Sequence, residues 1–117
     1  MTIKNVFASV PVKNLNRAEP WYSRLLDKRA QKPMPEVAEW EFDGGGWLQV
    51  YELPDRAGGG SFTLSVSSID EQGDALRRLG IQDAQASSGE KVKTLMITDP
   101  DGNHIAFAEP LDPTLAR

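Results

Sequence analysis

The stretch Asp99-Pro100-Asp101-Gly102-Asn103-His104-Ile105-Ala106-Phe107 decides how the rest of the chain is read. Its first five residues are turn formers, each for its own reason. Proline presets one backbone angle, glycine accepts a positive one, and Asp and Asn bond to nearby backbone. After the turn, His104 to Glu109 alternates apolar and small or polar residues, and Lys93 to Thr98 precedes it. Two such runs joined by a turn read as a hairpin.

Working back from this hairpin, Ser61-Phe62-Thr63-Leu64-Ser65-Val66 has the period of two expected of a half-buried strand. Ser68 with Glu71 has the spacing of a helix-capping box, Ile69, Leu76 and Leu79 form an apolar face, and Gly80 is a stop. Upstream, Pro54-Asp55-Arg56-Ala57-Gly58-Gly59-Gly60 has no periodicity and reads as a linker.

The first half repeats the second. Ile3 to Val12 is an extended apolar run. Ala18, Trp21, Tyr22, Leu25 and Leu26 lie on one helical face, which core packing explains. Asn14 or Asn16 caps that helix, and Pro20 argues for the later start. Val37 to Asp43, the turn Gly44-Gly45-Gly46 and Trp47 to Glu52 form another hairpin. Gln31 to Pro35 and Gln82 to Lys91 read as loops, with Ser87 to Glu90 a mobile one. A shift of about 54 positions places Val12 on Val66, Leu15 on Ile69, Tyr22 on Leu76, Arg24 on Arg78 and Leu25 on Leu79. The expected fold is α+β: two tandem βαβββ modules with mainly antiparallel sheets. Module one covers about 1–53, the linker 54–60, module two 61–110, and 111–117 is a short tail, all within one domain of 117 residues.

The turn-strand phrase from Asp99 to Phe107, Val12-Lys13-Asn14-Leu15 with Trp21-Tyr22 and Leu25-Leu26, and Trp47 to Glu52 together resemble the glyoxalase / bleomycin-resistance / extradiol-dioxygenase (vicinal oxygen chelate) superfamily. The likeness runs over nearly the whole chain. It implies half-cup sheets and, in many small members, a homodimer with two clefts, module one of one chain facing module two of the other. It also implies four metal-ligand positions, which fall here on Phe7, Gln49, Ser61 and Ala106. Phe and Ala have no donor atom, Ser is a poor ligand, and Gln supplies one neutral carbonyl. The chain has a single histidine. No metal and no cofactor is expected.

Strand alternation assigns faces. Ile105, Phe107, Leu48, Val50, Phe62, Leu64 and Val66 point to the helices, as do Val6, Ala8 and Val10. Phe7, Ser9, Trp47, Gln49, Tyr51, Ser61, Thr63, His104, Ala106 and Ala108 then face the cup, and Trp40 with Phe42 is placed there too. The expected ligand-binding set is Phe7, Trp40, Trp47, Gln49, Tyr51, Ser61, Thr63 and His104. Its aromatic members suit stacking on a planar ligand, against the plainer reading that they fill the cup as core. Glu39 and Glu41 read as the solvent face of an edge strand. If that strand's faces are reversed they become anionic cleft residues suited to a cationic ligand.

Composition limits the alternatives. Hydrophobic residues are 39% and charged residues 26%, the net charge is −4 and cysteine is absent. Thiolate chemistry and disulfides are excluded. No basic cluster suits nucleic acid, and no apolar run reaches a membrane span. A cytoplasmic location is the default. The leading expectation is a metal-free binder of an aromatic or cationic metabolite or antibiotic. One rival is a metal-independent isomerase or lyase with His104 as base, oriented by Asp99 or Asp101 and helped by Gln49 and Tyr51. The other is a regulatory module with a filled cleft.

Overall fold

The computed structural model describes residues 2–112. Module one runs β1 (Phe7–Val12), α1 (Leu15–Leu26), β2 (Gln31–Met34), β3 (Val37–Glu41) and β4 (Trp47–Glu52). Module two runs β5 (Ser61–Ser65), α2 (Ile69–Arg78), β6 (Gln85–Ser88), β7 (Val92–Thr98) and β8 (His104–Pro110). The order is βαβββ twice. Each module has its own four-stranded sheet, ordered β1-β4-β3-β2 and β5-β8-β7-β6. The pairs β1–β4 and β5–β8 are parallel and the rest antiparallel. A parallel pair needs a crossover, and the helix after β1 and after β5 begins it.

Backbone contacts divide the chain into two compact units, Met1–Gly60 with Pro100–Asn103, and Ser61–Asp99 with His104–Arg117. The tail read at 111–117 lies, from 113 onward, outside the described residues. In the first unit, Leu15, Ala18, Tyr22 and Leu25 of α1 are buried with Val10, Val12, Ala38, Trp40, Leu48 and Val50. In the second, Ile69 and Leu76 of α2 are buried with Phe62, Leu95, Ile97, Ile105 and Phe107. Each sheet thus has one face under a helix and one face left open.

The two helices start alike. Asn14 Oδ1 accepts from the Arg17 N–H (3.3 Å), and Ser68 Oγ accepts from the Glu71 N–H (3.2 Å). The last strand of each module adds a second cap. Glu52 Oε1 accepts from the Leu15 N–H and Glu109 Oε1 from the Ile69 N–H, both at 2.9 Å. A carboxylate there satisfies an orphan donor and sits at the positive end of the helix dipole.

Several local expectations need correction. The first strand begins at Phe7, and Ile3 and Val6 are 74% and 75% exposed. Asn14, not Asn16, caps α1, and Pro20 lies inside the helix on its exposed side. Two caps at one end hold the helix despite the hydrogen bond that proline cannot donate. Leu79 is 38% exposed, because α2 ends at Arg78 and Gly80 turns the chain at φ +83°. The stretches read as loops at 31–35 and 82–91 contain β2 and β6, fully exposed edge strands whose composition carries no apolar alternation. The linker includes a 3-10 turn at Pro54–Arg56.

The Asp99–Asn103 turn is a packing device of the first unit. Asn103 is fully buried; its Nδ2 donates to the Pro11 carbonyl (2.8 Å) and its Oδ1 accepts from the Gly60 N–H (2.7 Å). Asp101 Oδ2 accepts from the Lys13 N–H (2.9 Å).

Candidate functional site

On the open face of the first sheet, strand register sets side chains in rows. One row is Phe7, Trp47 and Glu41; the next is Ser9, Gln49 and Glu39; the third is Pro11, Tyr51 and Val37. Phe7 and Trp47 stack with ring centroids 5.5 Å apart and planes 25° from parallel. Phe7 is 46% exposed and Trp47 is half-buried, so the pair offers an aromatic surface that α1 does not cover.

The middle row is a directed chain of hydrogen bonds. Ser9 Oγ donates to Gln49 Oε1 (3.3 Å), and Gln49 Nε2 donates to Glu39 Oε1 (3.1 Å). The order follows from the groups present. An ionised carboxylate only accepts, so it takes the amide N–H and leaves the amide oxygen for the hydroxyl. Gln49 is therefore held by both ends.

Trp40 does not belong to this face. It is 1% exposed, lies with Tyr22 (centroids 5.9 Å apart) and donates from its indole N–H to the Lys28 carbonyl (3.0 Å). The β3 strand is turned over relative to the sequence reading, which put Trp40 and Phe42 in the cup. Burying the indole under α1 removes its large apolar surface from water, and the Lys28 carbonyl satisfies its one polar atom. Glu39 and Glu41 are consequently on the open face with Trp47 and Gln49, the reversed arrangement noted above. Alternation in Val37 to Glu41 puts Ala38 with Trp40 and Val37 with Glu39 and Glu41, and it does not say which of the two sets lies under the helix.

The open face of the second sheet is different in character. Its rows are Ser61, His104 and Thr98; Thr63, Ala106, Met96 and Gln85; and Ser65, Ala108, Thr94 and Ser87. Small and hydroxyl side chains surround Met96, which is 45% exposed. Met96 is not in the expected ligand-binding set, although buried Leu95 and Ile97 on either side mark it as outward by alternation. His104 is exposed at the end of its row. Asp101, a candidate to orient it, is engaged with the Lys13 backbone, and Asp99 is buried.

The expected ligand set therefore divides. Phe7, Trp47, Gln49 and Tyr51 share the first open face, Ser61, Thr63 and His104 the second, and Trp40 is core. The four positions that the family resemblance assigns to metal ligands do not fit a metal. Phe7 and Ala106 carry no donor, Ser61 offers only a hydroxyl, and the Gln49 carbonyl already accepts from Ser9. Among the described residues, no group of three or more His, Cys, Asp or Glu side chains is arranged to hold a metal ion.

No protein-family model matches the sequence, and no curated protein matches it significantly. Solved structures do. A glyoxalase / bleomycin resistance protein from Catenulispora acidiphila is 31% identical, with a TM-score of 0.82 over 92% of this chain and 98% of its own. An antibiotic-binding protein from Streptomyces sp. CB03234 has a TM-score of 0.77 at 21% identity, over 94% of this chain and 98% of its own. A lactoylglutathione lyase from Agrobacterium tumefaciens has a TM-score of 0.75 at 15% identity, over 93% of this chain and 94% of its own. The last two share the fold. The first, at its identity and coverage, shares more, and with the paired βαβββ modules it establishes that this chain belongs to the glyoxalase / bleomycin resistance protein family.

Proposed function

We propose that this protein binds a small aromatic or cationic molecule, a metabolite or an antibiotic, without a metal and without altering it chemically. The observation that carries the reading is the stacked Phe7–Trp47 pair, left open beside a hydrogen-bonded polar row. An apolar stacking surface with a few fixed polar groups is the usual make-up of a small-molecule site. Antibiotic binding in the Streptomyces protein, and the bleomycin resistance determinant encoded on transposon Tn5 (TM-score 0.71, 16% identity), give this type of function a precedent on the same fold. The absence of donors at Phe7 and Ala106 supports metal-free binding over the lyase chemistry named for the Agrobacterium protein. The engagement of Asp101 with Lys13 supports binding over base catalysis at His104. A homodimer with the ligand cleft at its interface, in the cytoplasm, completes the proposal; no helix among the described residues is long and apolar enough to cross a membrane.

Two measurements test it. Elemental analysis after dialysis should find no stoichiometric transition metal; about one zinc, iron, nickel or manganese per chain contradicts the metal-free reading. A thermal-shift screen of planar aromatic and cationic compounds should find stabilising ligands, since a binder of the native state raises stability by mass action. Silence across the whole screen contradicts binding.

A further inference from the structure

Resting on the binding reading above, we infer that the ligand of the first open face is a planar ring carrying a positive charge close to it, and that Glu39 reads that charge. Three observations converge. The first is position. Glu41 lies directly across β3–β4 from Trp47, and Glu39 is in the neighbouring row. Adjacent strands lie about 4.8 Å apart. A ring stacked on Trp47 therefore brings a substituent one or two bonds from its edge within reach of both carboxylates.

The second is the state of Glu39. It is half-buried and has lost part of its water. Gln49 holds one oxygen, and the polarising hydroxyl of Ser9 stands behind that amide. No described residue hydrogen-bonds to the second oxygen, and no described lysine or arginine forms an ion pair with either Glu39 or Glu41. A carboxylate fixed in place, partly desolvated and not engaged in an ion pair gains more from a bound cation than one waving in solvent.

The third is local charge balance. The loop end of β3 opens into a recess of about 350 Å³ lined by Glu39, Glu41, Asp43, Lys28, Arg29 and Gln31. Three carboxylates there outnumber two cations, and one of the three, Glu41, is the cross-strand neighbour of Trp47. A cation over or beside the Trp47 indole is further favoured by the ring quadrupole. An anionic ring of the same shape meets the carboxylates of Glu39 and Glu41, which the two cations of the recess offset only in part.

The test uses three probes of nearly one shape: 2-naphthylmethylammonium, 2-naphthylmethanol and 2-naphthylacetate. Each is titrated into the full-length protein at low salt by calorimetry, with the indole N–H resonance of Trp47 reporting where it binds. The cation should bind about tenfold more tightly than the alcohol, and the acetate most weakly. Glu39→Gln should bring the cation-to-alcohol ratio close to one. Glu41→Gln, at an exposed position, should narrow it in part. Asp83→Asn, which removes the same charge from a loop of the other unit, should leave the ratio intact. If the alcohol moves Trp47 and binds as tightly as the cation, or if Glu39→Gln keeps the full ratio, the charge-reading inference is overturned while the binding face stands. If none of the three probes moves Trp47, both fall together.

Discussion

Asn103 in the turn before β8 donates from Nδ2 to the carbonyl of Pro11 in β1, 92 residues away in sequence, over 2.8 Å. Its Oδ1 takes the Gly60 N–H at the same time, so both ends of one buried amide tie backbone groups that no strand ladder reaches. Asn103→Ala orphans both of those groups. Each unsatisfied buried polar group costs about 1–3 kcal/mol, so the variant should lose about 2–6 kcal/mol of unfolding free energy in a urea titration. A loss below about 1 kcal/mol would show the amide to be dispensable.

Gly58 has φ +90°, and a Cβ there would run into the Asp101 carbonyl oxygen of the same turn. Gly44 has nothing within 4 Å of its would-be Cβ and no positive φ. Gly58→Ala should therefore cost about 2–3 kcal/mol, combining backbone strain with a clash, while Gly44→Ala should change stability by under about 0.5 kcal/mol. Denaturant midpoints of the two variants at equal m-value measure the contrast.

Trp40 and Trp47 are seven residues apart and on opposite faces of the same sheet. Trp40→Ala empties a core site and leaves the Lys28 carbonyl without its donor, at a cost of about 3–5 kcal/mol. Trp47→Ala removes the stacking partner of Phe7, worth about 1 kcal/mol, and should stay folded while losing ligand affinity about tenfold. Circular dichroism melts paired with ligand titration separate the two. A Trp47→Ala protein that unfolds would make this residue core.

Glu52 and Glu109 cap α1 and α2 in equivalent ways. Alanine at either position should destabilise by about 1–2 kcal/mol, and glutamine by less, because it keeps an acceptor and loses only the charge on the helix dipole. Hydrogen exchange should show the first turn of α1 opening in Glu52→Ala and that of α2 in Glu109→Ala. Uniform loss of protection in both variants would argue against local capping.

An aromatic pair on one open face and Met96 on the other are surfaces that a lone chain rarely leaves to water. Sedimentation at micromolar concentration should give twice the chain mass, and the Trp47 resonance should shift on dilution into monomer. A monomer under those conditions contradicts the dimer.

The sequence alone determined the repeated order of strand, helix and hairpin, most of each helix face and the inward sets of β4, β5 and β8. Those follow from short-range periodicity, which any strand or helix must obey to bury one side. Phe7, Gln49, Ser61 and Ala106, on the strands aligned by the family resemblance, could be judged as ligands from side-chain chemistry alone. Which way β3 faces was decided by tertiary structure. Its five residues allow Trp40 on either side, and only the space beneath α1, next to Tyr22 and within reach of the Lys28 carbonyl, picks the side. The edge strands β2 and β6 were also invisible, because a fully exposed strand has no apolar alternation and exists only through hydrogen bonds to its neighbour. The Asp99–Asn103 turn shows the same division. Its residues announced a turn, but that Asn103 would reach Pro11 and Gly60 depended on chain segments far away in sequence, whose proximity no local pattern encodes.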